Sequence, residues 1–215
     1  SKTDLRIYWN PVLESGTHPG NQGAGAASVI AAYWGLYMNY SEIKNYDIAN
    51  GPGVRVSLFV SGCTHHCEGC FNEITWDFAY GNPFGTSVQE QLLADLAPDY
   101  IAGLSLLGGE PLEYVNWTEL LPWLKTVKEK YPQKDIWCYT GYRFEEDILN
   151  RFCRQWDAMK EFLSCIDVLV DGPFLLAQKD ISLQFRGSRN QRIISVQESL
   201  QAGSTILWHE SLWQA

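Results

Sequence analysis

The segment VRVSLFVSGCTHHCEGC, residues 54–70, joins a strand signal to a loop rich in cysteine. Its first seven residues are apolar or β-branched with partial alternation, which predicts a β-strand over 54–60. The next ten residues place three thiols and two imidazoles within eight positions: Cys63, His65, His66, Cys67 and Cys70. Thiolates are ligands for soft metals, so this crowding indicates a binding loop rather than core packing.

A regular alternation of helices and strands follows this segment. Apolar periodicity predicts helices over 87–96, 117–131 and 144–163, and strands over 100–107, 135–140, 165–170 and 191–196. Strands and helices at this spacing imply right-handed crossovers, so the expected fold is α/β with a mostly parallel sheet. Ser87 and Glu90 form the expected capping box of the first helix, and Pro122 is expected near the first turn of the second.

Four short motifs come directly after the predicted strands. SGCTHHCEGC follows the first strand, GGEP at 108–111 the second, TGYR at 140–143 the third and DGPF at 171–174 the fourth. The carboxyl ends of parallel strands form one edge of a sheet, and in such folds that edge carries the reactive groups. We therefore expect the four motifs to meet in one site.

The composition fits a globular protein and argues against several classes of function. The chain has 215 residues, 46% hydrophobic and 19% charged, which suffices for one domain with a sizeable core. A formal net charge of −9 repels phosphate backbones and disfavours nucleic-acid binding. The nearest candidate for a membrane span, residues 23–37, is shorter than the roughly 18 residues required, and no basic segment precedes it as in a secretory signal.

The first 37 residues differ in character from the rest of the chain. They are rich in Gly, Ala and Ser without a clear period, and Met38 is one of only two methionines. We expect Met38 to be the natural start, residues 1–37 to be an extension that is foreign to the protein, and residues 38–215 to form the functional domain. The alternative is a native N-terminal arm that packs on the domain.

The six cysteines are distributed in a way that argues against a disulfide framework. Three are clustered in the loop, while Cys138, Cys153 and Cys165 are scattered and are most simply core thiols. A chain of this length does not need disulfides for stability. A thiolate site in a reducing compartment, the cytoplasm, is therefore expected.

Two kinds of metal site suit the clustered thiols. A zinc ion would take the three cysteines with His65 or His66 as a tetrahedral shell, although zinc ligands usually come as two separate pairs. A 4Fe–4S cluster suits the crowding better, because one loop can reach three of its irons. Three protein ligands would leave the fourth iron open to a substrate. The two histidines are then expected to be loop residues that face solvent or the sulfides of the cluster.

The spacing CxxxCxxC after the first strand, with GGEP after the second, resembles the radical S-adenosylmethionine superfamily. Four segments resemble, within it, the activating proteins of anaerobic ribonucleoside-triphosphate reductases: NGPGVRVSLFVSGCTHHCEGCFNEITW (50–76), DIWCYTGYRFEE (135–146), DVLVDGPF (167–174) and FRGSRNQRI (185–193). The likeness extends from about residue 38 to residue 193. It implies an incomplete (β/α) barrel of radical S-adenosylmethionine type, open at one side.

The resemblance also implies roles for individual residues. Cys63, Cys67 and Cys70 would ligate a 4Fe–4S cluster whose open iron binds S-adenosylmethionine. The residues expected to bind that cofactor are Gly69, Cys70, Phe71, Gly108, Gly109 and Glu110. The glycine pair and the carboxylate would face the methionine ammonium, and the two neighbours of the last cysteine would touch the nucleoside.

The chain departs from the superfamily pattern at three positions. Many members carry an aromatic residue just before the last cysteine, where this chain has Gly69, with Phe71 just after it. Close relatives often carry Ser and Asp where this chain has Leu107 and Glu110. Glutamate keeps the carboxylate, so the implied role is retained.

In the resembling family the cofactor carries the chemistry, so no side chain is expected to be a catalyst by itself. The implied reaction is reductive cleavage of S-adenosylmethionine to a 5′-deoxyadenosyl radical, which abstracts hydrogen from a backbone glycine of the large subunit of the reductase. A flavodoxin is the implied electron donor. The alternatives are an activase of another glycyl-radical enzyme such as pyruvate formate-lyase, a small-molecule radical enzyme, and a non-catalytic zinc-binding protein.

Two further groups of residues have no firm assignment from the sequence. Asp171 and Gly172 form either an ordinary turn or a part of the site. Arg186, Arg189 and Asn190 form either a solvated turn or a surface for the partner, and the partner surface is favoured.

Overall fold

The computed structural model describes residues 37–209. In this part of the chain the strands are β1 Asn39–Asp47, β2 Val54–Val60, β3 Asn82–Pro83, β4 Ile101–Gly108, β5 Asp135–Tyr139, β6 Val168–Asp171 and β7 Arg192–Ser195. They form a seven-stranded sheet in the order β3-β1-β2-β4-β5-β6-β7. The five predicted strands are all present. Their ends agree to within one residue, except that β6 begins three residues later than expected.

The sheet is mixed. β2, β4, β5 and β6 are parallel neighbours at its centre, whereas β1 and β3 on one side and β7 on the other are antiparallel. The prediction of an α/β fold is confirmed, but the sheet is partly parallel rather than mostly parallel. The connection from β1 to β2 is too short for a parallel crossover, which forces an antiparallel pair. Within residues 37–209 the sheet ends at β3 and β7 and does not close into a barrel.

The α-helices of the described residues are α1 Thr86–Leu96, α2 Tyr114–Lys130, α3 Cys153–Gln155, α4 Asp157–Cys165 and α5 Val196–Ala202. A π-helical segment, Phe144–Phe152, runs directly into α3. Two short 3-10 turns, Glu73–Trp76 and Leu176–Gln178, lie in connecting loops. Crossover helices therefore join the parallel strands, as the sequence predicts.

Two local expectations about α1 and α2 are wrong. Gly85 is the N-cap of α1 and no side chain caps the helix, so Ser87 and Glu90 do not form the capping box. The reason is that α1 begins one residue earlier than predicted. α2 begins three residues earlier, which puts Pro122 in its interior, where proline removes a backbone hydrogen bond. Packing of its apolar side against the sheet stabilises α2 despite this loss.

The predicted helix over 144–163 is interrupted. After the π-helical segment and α3, the backbone becomes extended at Trp156 (φ −132°, ψ 112°) before α4 begins. The break places the Trp156 ring with its centroid 5.5 Å from that of Tyr114 and 5.8 Å from that of Trp117. Cys165 consequently ends α4 instead of lying in a strand as expected.

The main core lies between the helices and one face of the sheet. Alternation along β5 shows this, because Ile136 and Cys138 belong to the main core while Trp137 belongs to a smaller cluster on the opposite face. Cys138, Cys153 and Cys165 are all buried, as expected for core thiols.

A buried ion pair joins three parallel strands near their amino ends. Arg55 is fully buried, and its Nη1 lies 2.8 Å from Oδ1 of Asp135. Its Nε donates to the hydroxyl of Ser105 at 2.8 Å, and the Trp137 ring centroid lies 5.5 Å from the guanidinium carbon. These contacts fix β2, β4 and β5 at the end of the sheet opposite the four motifs.

The expected extension over 1–37 lies outside the described residues, apart from Tyr37. Met38, the first residue of the expected domain, is buried, and its carbonyl accepts a hydrogen bond from the N–H of Phe84. None of the helices between residues 37 and 209 combines the length and the apolar character that a membrane crossing requires.

Candidate functional site

The cysteine loop begins where β2 ends and folds back on itself. Gly62 turns the chain with a φ of +95°, and its N–H donates to the Thr75 carbonyl at 2.8 Å. The N–H of Cys63 donates to the carbonyl of Trp76 at 3.2 Å. Residues 61–76 are therefore a closed loop at the carboxyl end of the central parallel strands.

The three thiols lie together in this loop at different depths. Cys63 is buried, whereas Cys67 and Cys70 are partly exposed. The N–H of Cys70 donates to the carbonyl of Cys67 at 3.1 Å, in a turn that Gly69 permits with a φ of +71°. This positive φ disfavours any side chain at residue 69, and a Cβ there would also require the exposed Leu176 side chain to move.

The surroundings of Cys63 and Cys67 disfavour their charged forms. Burial raises the pKa of the Cys63 thiol above its usual range, and the charge of Glu110 raises it further. Burial also raises the pKa of Cys67. Both thiols are therefore neutral near pH 7 unless a metal stabilises their thiolates.

The donor set has the chemistry that an iron–sulfur cluster uses. A 4Fe–4S cluster distributes its ligands over several irons, and its usual protein ligands are thiolates. Three thiols in one loop match that requirement.

The GGEP turn after β4 is packed directly against the base of the cysteine loop. The N–H of Gly109 donates to the Val60 carbonyl at 2.7 Å, and the N–H of Glu110 donates to the Gly62 carbonyl at 2.8 Å. Gly108 has a φ of +110°, and a Cβ on Gly109 would lie 2.5 Å from the Gly62 carbonyl oxygen. The two glycines are thus needed for the close approach of two loops.

Glu110 joins three loops through a fully buried carboxylate. Its Oε1 accepts hydrogen bonds from the N–H of Leu112 at 2.9 Å and the hydroxyl of Thr140 at 2.8 Å. Its Oε2 accepts from the N–H of Gly141 at 2.8 Å and lies 2.9 Å from Nε2 of His65. The SGCTHHCEGC, GGEP and TGYR motifs therefore meet at one carboxylate. Contact of this carboxylate with a methionine ammonium stays a prediction.

His65 and His66 have different surroundings. His66 is exposed and stacks on Trp76 with ring centroids 4.6 Å apart, so it faces solvent as expected. His65 faces the protein, edge-on to Tyr142 with centroids 4.4 Å apart. Burial lowers the pKa of His65, but the hydrogen bond to Glu110 and its charge outweigh this effect and leave the pKa raised.

Two side chains at the start of α2 complete the site, and the sequence analysis did not single them out. Glu113 accepts hydrogen bonds from the N–H and hydroxyl of Thr64 at 2.8 and 2.6 Å. Asn116 donates from Nδ2 to the carbonyls of Ser61 and Glu110, both at 2.9 Å. Burial raises the pKa of Glu113. Polar residues in the first turn of a helix that follows a motif are the signal that would have found them.

The DGPF motif is held by structural contacts. Asp171 is buried, accepts a hydrogen bond from the N–H of Phe144 at 2.9 Å and pairs with Arg192. The N–H of Gly172 donates to the Tyr142 carbonyl at 3.0 Å, which ties the motif to TGYR. All four motifs are thus brought together, as their positions after parallel strands predict.

The segment expected to face a partner has internal contacts as well. Nδ2 of Asn190 donates to the Pro173 carbonyl at 2.7 Å, so it supports the DGPF motif. Nη1 of Arg186 donates to the carbonyl of Gln191 at 3.1 Å. Arg189 pairs with Asp180 at 2.9 Å but keeps 71% of its side chain exposed. Of the three residues named from the sequence, Arg189 is therefore the most accessible to a partner.

Comparison with known proteins agrees with this site. A family model described as "4Fe-4S single cluster domain" matches residues 49–194, which contain the central parallel strands and all four motifs. The fold and the thiol loop thus define an iron–sulfur protein of the single-cluster class.

Individual relatives narrow the assignment. A protein of Haemophilus influenzae is 45% identical over 158 residues, which cover 73% of this chain and 97% of the relative. A protein of Escherichia coli is 43% identical over 156 residues, 72% of this chain and 96% of the relative. A protein of Enterobacteria phage T4 is 42% identical over 160 residues, which cover 74% of this chain and 94% of the relative. All three are named anaerobic ribonucleoside-triphosphate reductase-activating protein, and the chain belongs to this family.

Proposed function

We propose that this chain activates an anaerobic ribonucleoside-triphosphate reductase by radical chemistry with S-adenosylmethionine at a 4Fe–4S cluster. When bound and reduced, the cluster would supply the electron for cleavage of S-adenosylmethionine to methionine and a 5′-deoxyadenosyl radical, which would take hydrogen from a backbone glycine of the reductase. The observation that carries the proposal is the loop of Cys63, Cys67 and Cys70 at the carboxyl end of β2. The names of the relatives support the choice of partner.

The cysteine loop and the GGEP turn would bind different parts of the cluster and its cofactor. Three thiolates would hold three irons, and the fourth iron would be left for the amino acid part of the cofactor. The backbone of Gly108 and Gly109 would approach the methionine group without obstruction by a side chain. The carboxylate of Glu110, which is held by its internal contacts, would attract the methionine ammonium through its negative charge. Gly69 and Phe71 would contact the nucleoside.

The fold is compatible with a protein substrate. The sheet is open and partly parallel, and in an incomplete (β/α) barrel of radical S-adenosylmethionine type the open side would admit a glycine loop. Apolar side chains beside the thiols are exposed, with Phe71 at 88% and Leu176 at 45%. Exposed apolar groups at the mouth of a site favour contact with another protein. We assign this contact to the large subunit of the reductase.

The remaining parts of the proposal concern the boundaries and the surroundings of the enzyme. Residues 38–215 would carry the activase domain, because Met38 is buried in the core while Tyr37 is 70% exposed. The reaction would take place in the cytoplasm with an external one-electron donor such as a flavodoxin. Activity that is lost on removal of residues 1–37 would contradict this boundary.

Cys67→Ala tests the cluster assignment. Cys153→Ala is the matched control, since Cys153 is a buried thiol outside the loop. After anaerobic reconstitution, the parent and the control are expected to bind about four irons and four sulfides per chain. Cys67→Ala is expected to lose the cluster and S-adenosylmethionine cleavage while it keeps its far-ultraviolet circular dichroism. Retained cleavage in Cys67→Ala would refute the ligand assignment.

The same protein preparation also tests the alternative functions. A colourless parent that holds zinc without sulfide would support a zinc-binding protein. If the cluster is present, the parent is incubated with S-adenosylmethionine, a reductant and one candidate partner at a time. A glycyl radical signal in electron spin resonance on the anaerobic reductase supports the proposal. A signal on pyruvate formate-lyase alone would transfer the assignment to that enzyme class.

A further inference from the structure

We propose that His65 is a positioning residue, which fastens the cysteine loop to the buried Glu110 carboxylate and so holds the thiols in the arrangement that a cluster needs. His65 lies two residues after Cys63 and two before Cys67. A constraint on its ring therefore acts on the part of the loop that carries two of the three thiols.

The partner of His65, the Glu110 carboxylate, is held in place by several other hydrogen bonds. Glu110 is 1% exposed, and His65 Nε2 lies 2.9 Å from its Oε2. The other contacts of this carboxylate come from Thr140 and Gly141 after β5 and from the N–H of Leu112 in its own turn. The imidazole thus connects the cysteine loop with the turns after β4 and β5, which belong to the central strands.

The space around the imidazole is shaped for it. A Cβ on Gly141 would lie 2.6 Å from Cδ2 and Nε2 of His65, so the ring occupies the volume that a side chain at Gly141 would fill. The Tyr142 ring lies edge-on to it with centroids 4.4 Å apart. Only 19% of the His65 side chain is exposed although it belongs to a surface loop. Packing on two sides fixes the direction of its hydrogen bond.

The neighbouring histidine provides a contrast within the same loop. His66 stacks on Trp76, and both residues belong to the loop of residues 61–76. Its contact therefore cannot fix the loop relative to the sheet. The backbone hydrogen bond from Glu110 to Gly62 fixes the base of the loop, and Thr64 is held by Glu113 at the start of α2. His65 adds the contact that joins the loop to the Glu110 carboxylate and, through it, to the turn after β5.

The inference rests on the proposed cluster site but is testable apart from it. Three variants are compared: His65→Ala removes the ring, His65→Gln keeps a donor amide at a similar distance from the backbone, and His66→Ala is the control. Hydrogen exchange of residues 61–70 in the metal-free chain measures whether the loop is held. Loss of iron from the reconstituted chain to a chelator measures whether that hold supports the cluster.

His65→Ala is expected to accelerate hydrogen exchange in residues 61–70 and to give up iron to the chelator about 10–100-fold more readily, the loss of metal affinity found when groups that orient metal ligands are removed. His65→Gln is expected to restore most of both properties, and His66→Ala to resemble the parent. Circular dichroism of all three variants is expected to match the parent, since the core is untouched.

The possible failures are distinguishable. If the parent binds no iron, the proposed function fails, while hydrogen exchange in the metal-free chain still decides whether His65 holds the loop. If His65→Ala exchanges and retains iron like the parent, the positioning role is refuted and the cluster assignment stands. If His65→Gln is as defective as His65→Ala, the hydrogen bond to Glu110 is not the cause, and the inference is refuted as well.

Discussion

Gly109→Ala tests whether the cysteine loop and the GGEP turn are packed as closely as the structure shows. A Cβ on this residue would lie 2.5 Å from the carbonyl oxygen of Gly62 and 3.0 Å from that of Thr75. Both oxygens belong to the backbone, so no rotation of a side chain can relieve the clash. The two loops must therefore separate, and the hydrogen bonds between them must lengthen.

The expected loss of stability follows from these contacts. Overpacking costs about 1–3 kcal/mol. The hydrogen bonds from Gly109 to Val60 at 2.7 Å and from Glu110 to Gly62 at 2.8 Å join the loops, and weakening them costs about 1 kcal/mol each. The free energy of unfolding should fall by about 3–5 kcal/mol. For a domain of this size, that lowers the midpoint of thermal unfolding by about 6–20 °C.

Gly85→Ala is the matched control, because a Cβ there meets no atom within 4 Å. As an exchange at a helix N-cap it should cost no more than about 1 kcal/mol, a shift of about 2–4 °C. The assay is thermal unfolding of the metal-free chains by circular dichroism, followed by iron analysis after reconstitution. The reasoning is refuted if Gly109→Ala unfolds no earlier than Gly85→Ala and binds as much iron as the parent.

Three further changes test other parts of the structure. The hydrogen bond from Arg192 lowers the pKa of Glu145 from 4.5 to about 2, so the ionised carboxylate stabilises the fold above about pH 4.5 and this contribution is lost as the pH falls towards 2. Because Glu145 is partly exposed, we expect Glu145→Gln to lower the free energy of unfolding by only about 1–2 kcal/mol at pH 7 and by little at pH 2. Urea unfolding at both pH values measures this difference, and an equal loss at both would contradict the reasoning. Arg55→Met leaves Asp135 buried without its ion partner and should cost about 3–5 kcal/mol in urea unfolding, and a loss below 1 kcal/mol would show that the pair is not formed. Leu176→Asp should leave the iron content unchanged and weaken binding of the reductase about 10-fold in a titration, since about 1.5 kcal/mol of apolar burial is lost; unchanged affinity would place the partner elsewhere.

Local patterns made the central strands and the order of the motifs predictable. β2 and β4 are mostly apolar and end at glycine-rich segments, which are signals that neighbours in sequence provide. β1 was not predicted, because it is mostly exposed or half-buried and shows no apolar alternation. Its pairing with β2 stabilises it as a strand, and such pairing is invisible in a local pattern.

The break in the helix predicted over 144–163 has a similar origin. Phe144, Ile148 and Phe152 recur at helical spacing, and all three are buried as that spacing predicts. The same spacing suits a π-helical segment, so periodicity alone does not distinguish the two. The extended backbone at Trp156 depends on contacts with Tyr114 and Trp117 in another helix, which no window along the chain contains.

The candidate site was predictable at the level of motifs, but its internal connections were not. The three thiols were evident from spacing, and the structure brings them together in one loop. Glu110 was expected at a cofactor, yet it accepts hydrogen bonds from the turn after β5 and contacts His65 in the cysteine loop. Its contact with His65 joins residues 45 positions apart, and only the register of parallel strands brings them together.

The depth at which each sulfur lies gives the chain a built-in reporter of metal loading. Cys138, Cys153 and Cys165 are enclosed by the core, and burial raises the pKa of each thiol, so alkylating reagents reach and react with them slowly. Cys67 and Cys70 are partly exposed, so reagents reach them more readily than the core thiols, although burial also raises the pKa of Cys67. A maleimide added to the native chain should therefore label the loop, and iron should protect it. The fraction of unlabelled molecules would then count those that carry metal, without reference to turnover.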